Sequence, residues 1–130
     1  MAKQRILLAD DNEIVRKVMK LRLEANGFEV ISASGVSEAL TLIITQSFEV
    51  LITDLNMPDA GDGFAVATAM RHSQPEALIL VVSGVPDVQQ ALASVALQAD
   101  LVLMKPFDVN ELGQLIKDKL RKVKRPAGTT

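Results

Sequence analysis

The residues best suited to chemistry are polar side chains that directly follow short apolar segments. Four such segments end in Asp10–Asp11, Asp54, Ser83 and Lys105. Carboxylates crowded together repel one another, so at least one needs a cation or a proton nearby. A few hard oxygen ligands suit Mg²⁺, which often shares its remaining positions with a phosphate. A carboxylate can also accept a phosphoryl group as an acyl phosphate, and a lysine and a hydroxyl can stabilise the charge on the phosphoryl oxygens.

These side chains can act together only if the fold brings the ends of the apolar segments together. Five such segments, at 6–9, 28–31, 50–53, 78–82 and 101–104, predict buried strands. Strands that are apolar on both faces and separated by helices predict a parallel sheet covered on both sides. We therefore expect an α/β fold with a doubly wound, open, five-stranded parallel sheet, in which ligands bind beyond the carboxyl ends of the strands.

Stretches between the strands carry apolar residues at helical spacing. They predict helices over 14–25, 36–43, 64–72, 88–95 and 112–120, the first with Ile14, Val18, Leu21 and Ala25 in one stripe. Gly27 suits the positive φ at which the first helix stops, and Asp108 suits an N-cap for the last one.

Composition excludes several classes of function. The chain has 130 residues, the usual length of one domain, and its 48% hydrophobic content excludes disorder over most of that length. With no Cys and one His, disulfides, thiolate catalysis and Cys- or His-rich metal centres are excluded. No apolar stretch approaches the ~18 residues of a membrane span, and residues 6–9 are too short for a signal peptide. We therefore expect a soluble, cytoplasmic protein with no membrane contact.

Charge argues against direct nucleic-acid binding by this domain, because the formal net charge is −2. Six basic residues do lie between Lys117 and Arg125. We interpret them as a solvated helix end, since cations complement the negative end of the helix dipole and no aromatic residues are interleaved for base stacking.

Each candidate residue also has a purely structural interpretation. Asp11 or Asn12 could cap the first helix, and Asp54 could belong to a simple turn. Ser83 and Lys105 could be ordinary residues at strand exits. What favours a site is that all of them stand at the carboxyl ends of predicted strands.

The same residues resemble the receiver domain of bacterial two-component response regulators, over about residues 4–122. The resemblance is carried by Asp10-Asp11, by Asp54 in Thr-Asp-Leu-Asn-Met-Pro, by Ser83-Gly84 and by Lys105-Pro106-Phe107. It implies the flavodoxin-like fold with strand order 2-1-3-4-5.

The resemblance implies that Asp54 accepts a phosphoryl group from a phosphohistidine. The donor partner would be a histidine kinase or a histidine phosphotransfer protein. Mg²⁺ would be bound by Asp11, Asp54 and the backbone carbonyl of Asn56, with Asp10 acting through water. The chain would catalyse its own phosphorylation and dephosphorylation without turning over a separate substrate.

The resemblance also implies a switch. Lys105 would contact the phosphoryl group, Ser83 would move towards it, and the Lys105–Pro106 peptide bond would be cis. The family usually has Tyr or Phe where this chain has Val102. Because a valine cannot reproduce the inward rotation of that aromatic ring, we expect the output to differ while the chemistry survives.

Other functions remain open. A haloacid dehalogenase-type phosphatase would need Asp-x-Asp after the first strand, whereas Asp10 is followed by Asp11 and Asn12. A flavin-binding module would need a phosphate loop rich in Ser, Thr and Gly where the two carboxylates stand. A pseudo-receiver, which interacts with partners but never takes phosphate, is kept open by Val102.

The expected domain covers residues 1–123, and residues 124–130 have the composition of a flexible tail or the start of a linker. The chain could be a stand-alone receiver or the N-terminal part of a longer regulator. Homodimerisation or effector docking would use the predicted fourth and fifth helices, over 88–95 and 112–120.

Overall fold

The computed structural model describes residues 3–57, 62–83, 99–105 and 107–123. The elements in chain order are β1 (Arg5–Ala9), α1 (Glu13–Ala25), β2 (Glu29–Ala33), α2 (Val36–Thr45), β3 (Val50–Asp54), α3 (Asp62–Ser73), β4 (Leu78–Ser83), β5 (Leu101–Met104) and α4 (Val109–Val123). All five predicted strands are confirmed, and α4 is the fifth of the predicted helices. The predicted helix over 88–95 and the predicted tail over 124–130 lie outside the described residues.

The sheet has the strand order β2-β1-β3-β4-β5, and every neighbouring pair is parallel. This confirms the doubly wound topology and the order 2-1-3-4-5. Along β1, Leu7 and Ala9 enter one core cluster while Ile6 and Leu8 enter the other. Successive strand residues point to opposite faces of a sheet, so a strand that is apolar at every position places apolar side chains in both cores.

Two hydrophobic cores result, one on each face of the sheet. Ile43 of α2 and Met70 of α3 belong to the first core. Leu23 of α1 and Ile116 of α4 belong to the second. Within the described ranges, no helix is both long and apolar enough to cross a membrane.

Helix ends follow the predicted signals. The side chain of Asn12 caps α1 by accepting a hydrogen bond from the backbone N–H of Val15 at 3.0 Å. Gly27, just past the end of α1, has φ of 98°, the left-handed conformation that glycine adopts without strain. Asp108 accepts a hydrogen bond from the backbone N–H of Asn110 at 2.8 Å and so caps α4.

The apolar stripe of α1 does not face the core. Ile14 is 75% exposed, Val18 43% and Leu21 67%. The residues of α1 that are buried against the sheet are Met19 and Leu23. The helical spacing therefore identified the helix correctly, but a stripe of this kind would normally lie against the core, and here it lies on the solvent side.

A matched pair of leucines on α1 tests this assignment of its faces. Replacing the fully buried Leu23 with Ala should lower the free energy of unfolding by about 2–5 kcal/mol, because it leaves a cavity between helix and sheet. Leu21→Ala, on the exposed face, should change it by less than about 0.5 kcal/mol. Urea unfolding followed by circular dichroism measures both, and equal losses would contradict the assignment.

Candidate functional site

The carboxyl ends of four strands meet at one edge of the sheet. Asp10 directly follows β1, Asp54 is the last residue of β3, Ser83 is the last residue of β4, and Lys105 directly follows β5. The register pairs Asp54 with Val82 across β3 and β4. Because neighbouring strands end at the same level, the side chains predicted to act together are brought to one place.

Three carboxylates form a cluster at this edge. One oxygen from each of Asp10, Asp11 and Asp54 lies within 4.8 Å of the other two. Asp10 is buried, Asp54 is half-buried and Asp11 is exposed to solvent. The set consists of hard oxygen donors, few in number and open to water on one side, which fits a Mg²⁺ ion that keeps part of its hydration shell.

Lys105 places its ammonium group beside this cluster. Its Nζ lies 3.3 Å from Oδ2 of Asp54 and 3.6 Å from Oδ2 of Asp10. Its backbone N–H donates to the carbonyl oxygen of Ser83 at 2.8 Å, which fixes the start of the side chain against the end of β4. One ammonium cannot neutralise three carboxylates, so the cluster keeps a net negative charge that favours a further cation.

Burial raises the pKa of Asp54 above its usual value, and the charge of Asp10 acts in the same direction. Lys105 opposes this by charge and by its hydrogen bond, and so does the backbone N–H of Asn56, which bonds to the Asp54 carboxylate. Burial is the largest of these causes, so ionised Asp54 is held at a free-energy cost in the metal-free protein.

Gly63, in the first turn of α3, packs directly against the backbone that carries Asp54. A Cβ on residue 63 would overlap the carbonyl oxygen of Asp54 and would stand 2.9 Å from Cα of Leu55. The N–H of Gly63 also donates to the carbonyl of Leu55 at 2.9 Å. Only glycine fits here without moving the end of β3. The helix predicted over 64–72 begins after Gly63, and its spacing indicates nothing of this close approach.

The remaining predicted site residues occupy different surroundings. Ser83 is buried, and Asn56 is half-buried in the turn after β3. Val102 lies within β5, opposite Val81, and packs against the core on the α2 and α3 side. Pro106 lies outside the described residues, and so does the predicted cis peptide bond.

One contact at the site was not predicted from the sequence. Arg16 of α1 donates from Nη1 to the carbonyl oxygen of Asp10 at 2.8 Å. An arginine four residues after the N-cap of a helix gives no signal in the sequence that it turns back towards the preceding strand.

Fold and site together define a doubly wound α/β protein with an acidic cluster at the carboxyl edge of its sheet. The family model described as "Response regulator receiver domain" matches residues 6–117. The chain therefore belongs to the response regulator receiver domain family.

Among curated proteins, the "Probable transcriptional regulator ycf27" of Porphyridium aerugineum is 32% identical over 123 residues, which cover 95% of this chain and 50% of that protein. The chain spans about half the length of the curated relatives it matches.

Solved structures show the same fold. A CheY-like receiver domain protein from Methanospirillum hungatei matches with a TM-score of 0.87 and 27% identity, covering 95% of this chain and 98% of that one. A Burkholderia pseudomallei response regulator, described as having a phosphorylated aspartic acid, a calcium ion and citrate, matches with a TM-score of 0.78 and 27% identity, covering 95% of this chain and 76% of that one.

The raised pKa of Asp54 predicts a pH dependence of stability in the metal-free protein. Because the pKa is raised above 3.8, the folded state holds the proton more tightly than the unfolded state. The free energy of unfolding therefore falls as the pH rises from about 4 through the raised pKa. In EDTA at pH 7, Asp54→Asn should be more stable than the wild type, because Asn carries no charge to desolvate, and its advantage should shrink towards pH 4. Urea unfolding at both pH values measures this, and a mutant no more stable than wild type at pH 7 would contradict it.

Proposed function

We propose that this chain is a phosphoacceptor receiver domain in which Asp54 takes a phosphoryl group. The observation that carries the proposal is the Asp54 carboxylate held 3.3 Å from Lys105 inside the cluster with Asp10 and Asp11. The phosphorylated aspartic acid named for the Burkholderia relative supports it.

In the proposed reaction, a carboxylate oxygen of Asp54 attacks the phosphorus atom of a phosphohistidine. The phosphorus–nitrogen bond breaks, its electron pair returns to the imidazole, and an acyl phosphate forms on Asp54. Attack of water on the same phosphorus atom later releases inorganic phosphate and restores the carboxylate. The ammonium of Lys105 stands where it can pair with a phosphoryl oxygen as negative charge develops.

Mg²⁺ would be held by Asp11, Asp54 and the backbone carbonyl of Asn56, with Asp10 acting through water. When bound, it neutralises negative charge on the carboxylates and on the phosphoryl oxygens. Asp10 is buried and its neighbour Asp11 is exposed, so one carboxylate of the pair is shielded from solvent and the other is accessible to it.

The proposed switch acts through the ends of β3, β4 and β5. Leu55 donates from its N–H to the carbonyl of Val82 at 2.8 Å, and Lys105 donates to the carbonyl of Ser83 at the same distance. A phosphoryl group on Asp54 that draws in the hydroxyl of Ser83 and the ammonium of Lys105 would shift a pre-existing equilibrium of the loops after β3 and β4. Val102 is too small to fill the volume of an aromatic ring on β5, so the response would pass through these strand ends.

The proposed donor is a histidine kinase or a histidine phosphotransfer protein in the cytoplasm. The exposed stripe of α1 offers it an apolar surface that begins next to the acidic cluster, since Ile14 lies three residues after Asp11. Scattered exposed apolar residues need no explanation, but three on one helix face form a continuous patch.

The curated relatives, which are about twice as long, carry names of transcriptional regulators. We propose that this domain controls an output by docking, either of a second copy or of an effector, through α4 and the predicted helix over 88–95. Direct nucleic-acid binding is not part of the proposed role of this domain.

Phosphorylation is tested by mass spectrometry of the intact protein after incubation with acetyl phosphate. With Mg²⁺, one phosphoryl group should add to the wild type, and EDTA or Asp54→Ala should abolish the addition. Ser83→Ala should still take up phosphate, but the loops after β3 and β4 should change conformation less. Asp118→Ala, which removes an exposed carboxylate on α4, is the matched control and should behave as wild type. A folded wild type that binds Mg²⁺ but gains no mass would favour the pseudo-receiver instead.

The donor surface is tested by comparing two phosphodonors. Leu21→Ser should slow phosphotransfer from a phosphohistidine protein about tenfold, because it removes an apolar contact, and should leave the rate with acetyl phosphate unchanged. Ile44→Ser is the matched control, since Ile44 is 79% exposed on α2, on the other face of the sheet. Equal rates for both variants with the protein donor would refute the assignment of this surface.

A further inference from the structure

Arg16 contacts the acidic cluster through the backbone carbonyl of Asp10. It lies in the first turns of α1, is half-buried, and donates from Nη1 to the carbonyl oxygen of Asp10 at 2.8 Å. This carbonyl belongs to the residue that directly follows the last residue of β1.

Two more hydrogen bonds hold the same residue. The backbone N–H of Asp10 donates to the carbonyl of Ala33 at 3.1 Å, and Oδ1 of Asp10 accepts from the backbone N–H of Asn12 at 2.8 Å. With one carboxylate oxygen engaged in this way, the other, Oδ2, is the one directed towards Lys105. The bond from Arg16 completes the set, because it fixes the peptide plane between Asp10 and Asp11.

We propose that Arg16 is a positioning residue for the metal site: its hydrogen bond to the Asp10 carbonyl holds the Asp10–Asp11 peptide so that both carboxylates face the cluster. This rests on the proposed function, since it concerns the Mg²⁺ site of that function. Mg²⁺ demands near-ideal octahedral geometry, so a small rotation of this peptide would misplace both Asp11, a direct ligand, and Asp10, which acts through water.

The direction in which Mg²⁺ affinity changes when Arg16 is replaced separates this role from a purely electrostatic one. As a bare positive charge near a cation site, Arg16 would repel Mg²⁺, and removing it would tighten binding. As a positioning residue, its loss must weaken binding. Positioning should dominate, because groups that orient metal ligands typically change metal affinity 10–100-fold, whereas the repulsion is screened by solvent at a half-exposed side chain.

The experiment is titration calorimetry of the metal-free chain with MgCl₂ at fixed pH and ionic strength, with no phosphodonor present. Arg16→Met should weaken Mg²⁺ binding about tenfold. Arg16→Gln keeps an N–H donor but no charge, so it should restore at least part of the lost affinity. Arg22→Met, which removes the same charge from the exposed last turn of α1, is the matched control and should change the affinity less than twofold.

Unfolding in EDTA separates the positioning role from a merely structural one. A structural role would lower the free energy of unfolding of Arg16→Met and leave the Mg²⁺ affinity of the folded protein unchanged. Unchanged or tighter Mg²⁺ binding by folded Arg16→Met would overturn the proposal. If Arg16→Met does not fold, the comparison of Arg16→Gln with Arg16→Lys decides. Mg²⁺ binding by Arg16→Gln that is tighter than binding by Arg16→Lys and by the wild type would overturn the proposal. Similar binding by the two variants, slightly weaker than that of the wild type, would support it.

Failure of the wider proposed function gives a different result. If the wild type itself shows no Mg²⁺ binding, both the metal site and the role of Arg16 are refuted. If the wild type binds Mg²⁺ but takes no phosphate on Asp54, only the phosphoacceptor function fails, and the comparison of the Arg16 variants still decides the positioning role.

Discussion

Mutual repulsion among three carboxylates is the constraint on which the rest of this structure depends. Asp10, Asp11 and Asp54 are held with oxygens within 4.8 Å of one another, and Lys105 offsets only part of their charge. Burial adds to the cost by raising the pKa of Asp54. Such an arrangement is stable only because the sheet and its two cores hold the strand ends in place, and it leaves the site ready for a cation.

Backbone contacts, more than side-chain contacts, set the geometry of that edge. The N–H of Leu55 binds the carbonyl of Val82, and the N–H of Lys105 binds that of Ser83, so the ends of β3, β4 and β5 are joined directly. Gly63 allows α3 to approach the end of β3 closely enough to touch it. A small displacement at Asp54 would therefore be transmitted to the ends of β4 and β5 through these hydrogen bonds, as a conformational switch requires.

The two faces of α1 illustrate how one helix serves both stability and the proposed partner contact. Leu23 anchors it in the core below β1, and Arg16 reaches back to the acidic turn. The opposite face carries Ile14 and Leu21 into solvent. The helix that begins at the acidic cluster is thus also the one that presents an apolar surface next to it.

The sequence by itself determined the strands and their parallel, doubly wound arrangement, because buried strands are encoded locally and few crossovers are allowed. The strand order 2-1-3-4-5 came from the family resemblance. The sequence also placed Asp10, Asp11, Asp54 and Lys105 at strand ends that the structure brings together. It also indicated the helix ends at Gly27 and Asp108, which depend on local hydrogen bonds and φ angles. For the start of α1 it offered Asp11 or Asn12, and the structure shows Asn12 as the cap. Only the tertiary structure decided that the regular stripe of α1 faces solvent, since periodicity defines a face but not what packs against it. The same holds for Gly63 and Arg16, whose roles depend on how closely α3 and α1 approach the strand ends.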